Sequence, residues 1–406
     1  MRNLFKEKNL VRICLAAFFM SSMIQLIWVV LPFIIKAMGG SDTQVGLCFM
    51  GHMGVYVLFC IIAGLVIDRL KPKKVLLISV ASQIIVTCGI IAVAGLGGRT
   101  FLSLTPITQM IFLMSMIGVN TAFFWPVMMG WISTGHEGAE LTKRFGFFNV
   151  TWGTANMLLP ILGGYLMLIS YFTTVAAAGI AIVLCLAAIS ITKPISENEK
   201  KSENIPAEIG IEVSENNEQF IWLARVALFS GFICIGIFRS QLAIYYKFEL
   251  GFDESIYGWA VSLMCLFNVI TFYLMGRSHR WHYRKSVFAA VQILIIVCML
   301  MIILSPEILV QLSAAGLAGI SFGVVYSSHQ YYGVSGGTSR SRRMAIHETI
   351  LGAGFATGSL LGGIISDHFG RNFPYWFGCG VIAAAGICQV ILWLFIGFLQ
   401  KRKRLS

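Results

Sequence analysis

The sequence predicts an all-α membrane protein, with twelve transmembrane helices in two pseudo-symmetric six-helix bundles. Three observations carry this. Twelve apolar stretches fill nearly the whole chain, the basic residues fall on one side of the implied topology, and a polar segment divides two halves that partly repeat.

The stretches run over about 11–35, 43–67, 75–96, 105–132, 145–169, 172–191, 220–246, 255–276, 286–304, 307–333, 344–366 and 375–398. Each supplies the roughly 20 apolar residues that a helix needs to span ~30 Å of hydrocarbon. Composition agrees, with 57% of residues apolar and 12% charged. The first stretch follows a basic head, as in a signal peptide. It is too long for that role and no A-x-A-like site follows, so it remains as the first span.

The net charge is +12, and its distribution says what it is for. With a cytoplasmic N-terminus, 25 of the 30 Lys and Arg fall on inner segments, while Lys36, Arg99, Lys247 and Arg371 fall on outer loops and Arg239 inside a span. Basic loops stay cytoplasmic, which puts both termini inside a plasma or bacterial inner membrane. The charge orients the chain against anionic lipid and is not a nucleic-acid footprint. All ten cysteines lie within spans, with no C-x-x-C pair and no His at metal spacing. They read as free, small, apolar core residues. No metal and no cofactor is expected, and the protein reads as a monomer.

Residues 193–219 hold seven Glu against three Lys and are the only long hydrophilic stretch. A polar, aperiodic segment is a linker. It separates an N-terminal bundle, residues 1–192, from a C-terminal bundle, residues 220–406. The halves align at one constant offset: Arg144 with Arg343, Gly153 with Gly352, and Gly163-Gly164 with Gly362-Gly363. Asn149 then falls on Glu348 and Pro160 on Ser359, and in the fourth spans Trp125 and Trp131 stand opposite Tyr326 and Tyr332. Two repeated six-span halves describe an alternating-access transporter, with its site between the halves near the midplane.

Between spans 2 and 3 runs Gly64-Leu-Val-Ile-Asp68-Arg69-Leu-Lys-Pro-Lys73-Lys74. It resembles the loop signature G-x-x-x-D-R-x-G-R-[KR] of the major facilitator superfamily, with Lys71 and Pro72 where that family has Gly and Arg. Together with the twelve spans, the linker and the repeat, the resemblance covers the whole chain. It implies a cytoplasmic latch in which Asp68, supported by Gly64, Arg69, Lys73 and Lys74, holds the halves together on the inner side. Read without the family, Gly64 permits close helix approach, and Asp68 can face the positive N-terminus of a neighbouring helix. A solvated turn with an ordinary basic cluster is the alternative.

A second stretch, Gly363-Ile-Ile-Ser-Asp367-His-Phe-Gly370-Arg371, matches the signature too, but the topology puts it outside. It reads as a helix end with a Gly stop, and no latch is expected there. The corresponding inner loop of the second half, 276–285, keeps only basic charge. In span 5, Pro160-Ile-Leu-Gly163-Gly164 resembles a stretch common in family exporters, but Leu159 stands in place of its defining Gly, so export is not read from it. In span 11, Gly354, Gly358 and Gly362 make a flat packing face or a sliding surface.

Charged residues inside spans are costly and mark pathways or paired sites. Arg239, on span 7, is the sharpest case, and no Asp or Glu lies at comparable depth in any span. A cavity guanidinium is a bidentate receptor for carboxylate or phosphate. Alternatively, Arg239 snorkels toward the Glu249 end of its helix. The resemblance implies that spans 1, 4, 7 and 10 line the cavity. Gln25, Trp28, Asn120, Trp125, Gln241, Tyr326 and Ser327 then join Arg239 as substrate-cavity candidates, each equally readable as an interhelical hydrogen bond. Pro126 removes a backbone bond beside Trp125, and broken helices at mid-depth build sites.

His52, His329, His347 and Glu348, with Asn149, are the coupling or gate candidates. His329, His347 and Glu348 gather by position at the cytoplasmic mouth, as a proton-coupled gate or as a static network. His titrates near neutrality, so protons join lipid and a small-molecule substrate as expected partners. No P-loop is present, which argues against ATP as the energy source. The sequence also lacks the motifs of a membrane enzyme. Secondary transport of a small organic solute, anionic or zwitterionic, is the leading reading. Efflux of amphipathic compounds and a transporter-like sensor are the alternatives.

Overall fold

The computed structural model describes residues 7–66, 70–95, 104–133, 138–193, 217–278, 280–334 and 340–405. Among them are twelve helices, all long and apolar enough to cross a membrane. They are α1 (Lys8–Ala37), α2 (Asp42–Val66), α3 (Pro72–Gly95), α4 (Pro106–Ser133), α5 (Gly138–Ile169) and α6 (Tyr171–Ser190), then α7 (Asn217–Phe248), α8 (Glu254–Arg277), α9 (Lys285–Leu304), α10 (Ile308–Val334), α11 (Arg340–Phe369) and α12 (Phe373–Leu405). No strand occurs among the described residues.

Each helix covers its apolar stretch. α5, α7, α11 and α12 run beyond theirs, to Gly138, Asn217, Arg340 and Leu405. The extensions of α5, α11 and α12 include Lys and Arg, good helix formers that keep a helix going past the hydrocarbon. The helix of span 7 starts within the expected linker, at Asn217. Pro32, Pro126 and Pro160 lie inside α1, α4 and α5 without ending them.

The chain forms two compact units: Met1–Gly40, Gly51–Ile209 and Asp253–Gly258 make one, and Ser41–Met50, Gly210–Phe252 and Trp259–Ser406 the other. They differ from the 1–192 and 220–406 division at two short segments. The start of α2 belongs to the second unit and the start of α8 to the first.

The packing inside the units repeats. In the first, α1 packs on α5 and α6, and α3 on α4 and α6; in the second, α7 packs on α11 and α12, and α9 on α10 and α12. Small residues make this possible, because their size lets backbones approach. A Cβ on Gly358 of α11 would stand 2.0 Å from the Ile233 carbonyl oxygen of α7. One on Gly354 would stand 2.6 Å from that of Phe229, so this glycine face is a tight helix contact.

The two crossing segments use the repeat as well. In the first unit, a Cβ on Gly258 would stand 2.4 Å from the Pro160 carbonyl oxygen. In the second, a Cβ on Gly46 would stand 2.2 Å from that of Ser359. Pro160 and Ser359 are aligned positions of the two halves. The same holds for Gly164, beside Ser255, and Gly363, beside Asp42 and Thr43.

All ten cysteines are free, but the reading of them as core residues holds only in part. Cys14, Cys48, Cys185, Cys234 and Cys298 are buried, whereas Cys88 and Cys388 are exposed. Thiol and methylene surfaces alike can face lipid, so residence in a span does not imply residence in a core.

Candidate functional site

In the first unit the cavity candidates bond to side chains on neighbouring helices. The Trp28 indole N–H on α1 donates to His52 Nδ1 on α2 at 2.9 Å. A neutral His52 therefore carries its proton on Nε2, which faces Thr121 Oγ1 of α4 at 3.5 Å. Gln25 donates to Asn156 Oδ1 of α5 at 3.1 Å. Asn120 donates to Gln83 Oε1 of α3 at 3.1 Å, and Ser79 donates to the Asn120 carbonyl at 2.8 Å. Trp125 meets Phe124, Phe148 and Trp152 edge-on in an aromatic cluster. Asn149 is exposed and accepts from the Trp152 indole at 3.0 Å. The sequence singled out Gln25, Trp28, His52 and Asn120 but not the partners Gln83, Thr121 and Asn156. Their signal was present, as polar side chains within spans.

In the second unit Arg239 is 4% exposed and lines a crevice too tight for water with Phe238, Leu242, Ala260, Val261, Met264 and Ala315. Glu249, near the end of the same helix, lies 3.9 Å from Arg371. Gln241 is buried; its amide nitrogen donates to Ser240 Oγ at 3.1 Å, and its carbonyl oxygen has no hydrogen-bond partner. Tyr326 packs on Phe272 of α8 and stands edge-on to His347 of α11. Ser327 is half-buried. His329 and His347 meet directly, Nδ1 to Nδ1 at 2.8 Å.

The two loop signatures part company. Asp68 and Arg69 lie outside the described residues. Lys73 donates to the carbonyls of Ser190 and Thr192 at 2.8 and 2.7 Å, capping the C-terminus of α6. A Cβ on Gly64 would meet nothing within 4 Å. Among the described residues, no helix approaches Gly64 closely. Lys74 is exposed. On the same unit, Arg144 pairs with Glu7.

The stretch set aside as a plain helix end makes a tertiary contact. Ser41 and Gln44 form a reciprocal capping box at the start of α2: Gln44 N–H donates to Ser41 Oγ at 3.2 Å, and Ser41 N–H to Gln44 Oε1 at 2.9 Å. The next two N–H groups, of Asp42 and Thr43, donate to the two carboxylate oxygens of Asp367 on α11, at 2.9 and 2.8 Å. Ser366 donates to Asp42 Oδ2 at 2.6 Å, and Arg371 stands 3.5 Å from the same oxygen. Helix N-termini leave N–H groups unpaired and carry positive potential. A carboxylate from a neighbouring helix answers both.

Twelve apolar helices in two internally repeated units find their counterpart in known proteins. The sequence profile of the Major Facilitator Superfamily matches residues 13–338. The chain belongs to the Major Facilitator Superfamily. No curated protein matches it. Among solved structures, it is similar to a POT family transporter in complex with 5-aminolevulinic acid, at 12% identity and a TM-score of 0.73, covering 94% of this chain and 95% of that one. A bacterial homolog of the human lysosomal transporter Spinster, inward-facing and occupied, shares 15% identity at a TM-score of 0.69, with 97% and 96% covered. The nucleoside transporter NupG shares 11% at 0.71, with 94% and 98% covered. At these identities the likeness is one of fold. Family and fold make this chain a multi-pass membrane protein and a secondary transporter. They do not choose its solute, since one fold serves peptide, nucleoside and other carriers.

Proposed function

We propose that the chain moves a small anionic or zwitterionic organic solute by alternating access, driven by a gradient and coupled to protons. Arg239 carries the solute class. Its guanidinium is buried on α7, two residues before an amide oxygen, that of Gln241, left without a hydrogen-bond partner. A buried planar fork is suited to a carboxylate or phosphate. The basic-residue bias supports an orientation with both termini in the cytoplasm of a plasma or bacterial inner membrane.

The test is solute binding to purified protein, with uptake into proteoliposomes, across anionic, zwitterionic and neutral compounds. Loss of a charge-assisted contact to a buried anion costs about 2–5 kcal/mol. Arg239→Gln therefore folds but loses measurable affinity for a micromolar anion. Arg239→Lys recovers only part of it, because an ammonium does not reproduce the fork. Unchanged affinity in well-folded Arg239→Gln ends the anion-receptor reading. The aromatic cluster of Trp125, Phe124, Phe148 and Trp152 favours a second reading, efflux of amphipathic compounds. Binding of neutral aromatics, indifferent to Arg239, is its signature.

A further inference from the structure

The strongest unassigned chemistry in the molecule is the contact between two buried imidazoles. His329 on α10 is 2% exposed and His347 on α11 is 1% exposed. The rings lie 5.0 Å apart and nearly parallel, at 28°. Their Nδ1 atoms are 2.8 Å apart, which two bare lone pairs do not tolerate, so one proton lies between them.

The tautomers follow from that proton. In the neutral pair, the ring that donates Nδ1–H has a bare lone pair on Nε2. The ring that accepts at Nδ1 carries its own proton on Nε2. Neither Nε2 has a hydrogen-bond partner. The pair thus keeps one basic nitrogen and one N–H buried without an answer, at a cost of about 1–3 kcal/mol for each orphaned group. Such exceptions in a native interior call for an explanation.

A proton-binding role is one such explanation, since the bare Nε2 is a base held at a helix contact. Added to the bare Nε2 of the donating ring, a proton makes an imidazolium whose Nδ1–H still points at the neighbour's Nδ1. The geometry is unchanged and the bond becomes charge-assisted, hence stronger. A second proton would go to the shared Nδ1 of the accepting ring. That would set two N–H groups head to head and two positive rings 5.0 Å apart. The geometry thus accommodates one added proton and resists a second.

Its surroundings tie that proton to more than one helix. Among the described residues, α10 brings Tyr326, whose ring stands edge-on to His347 at 4.6 Å. From α11, Glu348 follows His347 and lies within electrostatic range of Tyr326. From α7, the Arg225 guanidinium lies within electrostatic range of His329. Arg225 opposes a positive pair. A shift of α7 against α10 and α11 therefore changes how tightly the proton is held, and by reciprocity the proton biases that shift.

We propose that His329 and His347 form the protein's proton-binding site, taking up and releasing one shared proton per transport cycle. The proposal rests on the transporter reading for its role in a cycle, but the site itself can be tested without a solute. The wild-type chain in nanodiscs, labelled with 15N-histidine, is titrated from pH 9 to 5 by NMR, with His329→Gln and His347→Gln used for assignment. The expected result is a coupled pair that binds its first and second protons in steps more than about one pH unit apart. In each single variant the surviving ring titrates in one step. Two independent titrations near the ordinary histidine value of about 6.5, or no protonation of either ring down to pH 5, overturn the proposal.

Transport supplies the second arm. With a solute in hand, proteoliposomes holding a pH dye should show solute-driven proton movement in wild type, lowered at least tenfold in either variant. Solute exchange at equal pH should stay within about threefold. Full proton movement in folded His347→Gln overturns the site while leaving the transporter reading in place. A failure of every solute to move counts against the transporter reading alone, because the titration still decides the site.

Discussion

Two stretches of this chain carry nearly the same letters and do different things. Gly64 to Lys74 lies between α2 and α3, and Gly363 to Arg371 closes α11. In the first, Gly64 faces open space and Lys73 is spent on the end of α6. In the second, Gly363 lies against the backbone of Asp42 and Thr43, and Asp367 holds both their N–H groups. The chemistry read from the residues of the inner loop, a carboxylate on a neighbour's N-terminus, is seen in its twin. A motif of this kind describes a device, namely a small residue for approach and an acid for helix N–H groups. Which copy is engaged depends on what the conformation brings opposite it.

The glycines separate the copies most sharply. A valine at Gly46 would drive its Cβ to 2.2 Å from the Ser359 carbonyl oxygen, where backbone faces backbone. Overpacking of that kind costs about 1–3 kcal/mol. Gly46→Val should therefore lower the thermal unfolding midpoint of the purified protein clearly. Gly64→Val should leave it near wild type, because nothing lies within 4 Å. If the inner loop closes elsewhere in the cycle, Gly64→Val stays stable but transports slowly. A Gly64→Val protein that melts like Gly46→Val breaks the contrast.

The acids come next. Removing an N-cap acceptor costs about 0.5–2 kcal/mol. With 1.4 kcal/mol per factor of ten, Asp367→Ala should shift a two-state equilibrium roughly 2–30-fold away from the state seen here. The readout is the rate at which an impermeant maleimide modifies a cysteine placed at position 41. Faster labelling from outside is expected, and the same thiol reports on topology. Asp68→Asn should move that rate the opposite way if the inner loop is a latch. A rate unchanged in both variants makes both acids ordinary helix ends.

Much of this molecule is legible from its residues, and the reason is the solvent. Hydrocarbon tolerates only long apolar helices, so the twelve spans stand out. The repeat is legible too, because Pro160 with Gly164 and Ser359 with Gly363 receive equivalent segments. Pairing was harder to see. Trp28, His52 and Asn120 are visible as polar residues in apolar surroundings, yet the sequence does not say that the first two bond each other or that Gln83 takes the third. Ser41 with Gln44 is a readable S-x-x-Q capping box. The arrival of Asp367 on the two N–H groups beyond it joins residues more than three hundred apart. Only tertiary contact supplies that. The His329–His347 contact lies between these extremes: position put both near one end of the bundle, and helix rotation decided that their Nδ1 atoms meet.

The smallest effect should come from the arginine of the outer copy, and its size tests whether charge or backbone holds the contact. Arg371 stands 3.5 Å from Asp42 and 3.9 Å from Glu249, with its side chain 30% exposed. A partly exposed ion pair is worth about 0–1 kcal/mol and weakens with salt, over a Debye length of about 8–10 Å. The Asp42 carboxylate also accepts from Ser366, and Asp367 is bound to backbone N–H groups, so neither depends on the guanidinium for partners. Arg371→Gln should accordingly change labelling at position 41 by less than about fivefold at low salt, and the difference from wild type should shrink as sodium chloride is added. A double-mutant cycle with Asp42→Asn should show more coupling than one with Glu249→Gln, in line with the shorter distance. If Arg371→Gln instead exceeds Asp367→Ala and the excess vanishes with salt, long-range charge holds α2 to α11. The backbone cap by Asp367 would then be secondary, and the likeness between the two signatures would rest on their basic residues rather than their acids.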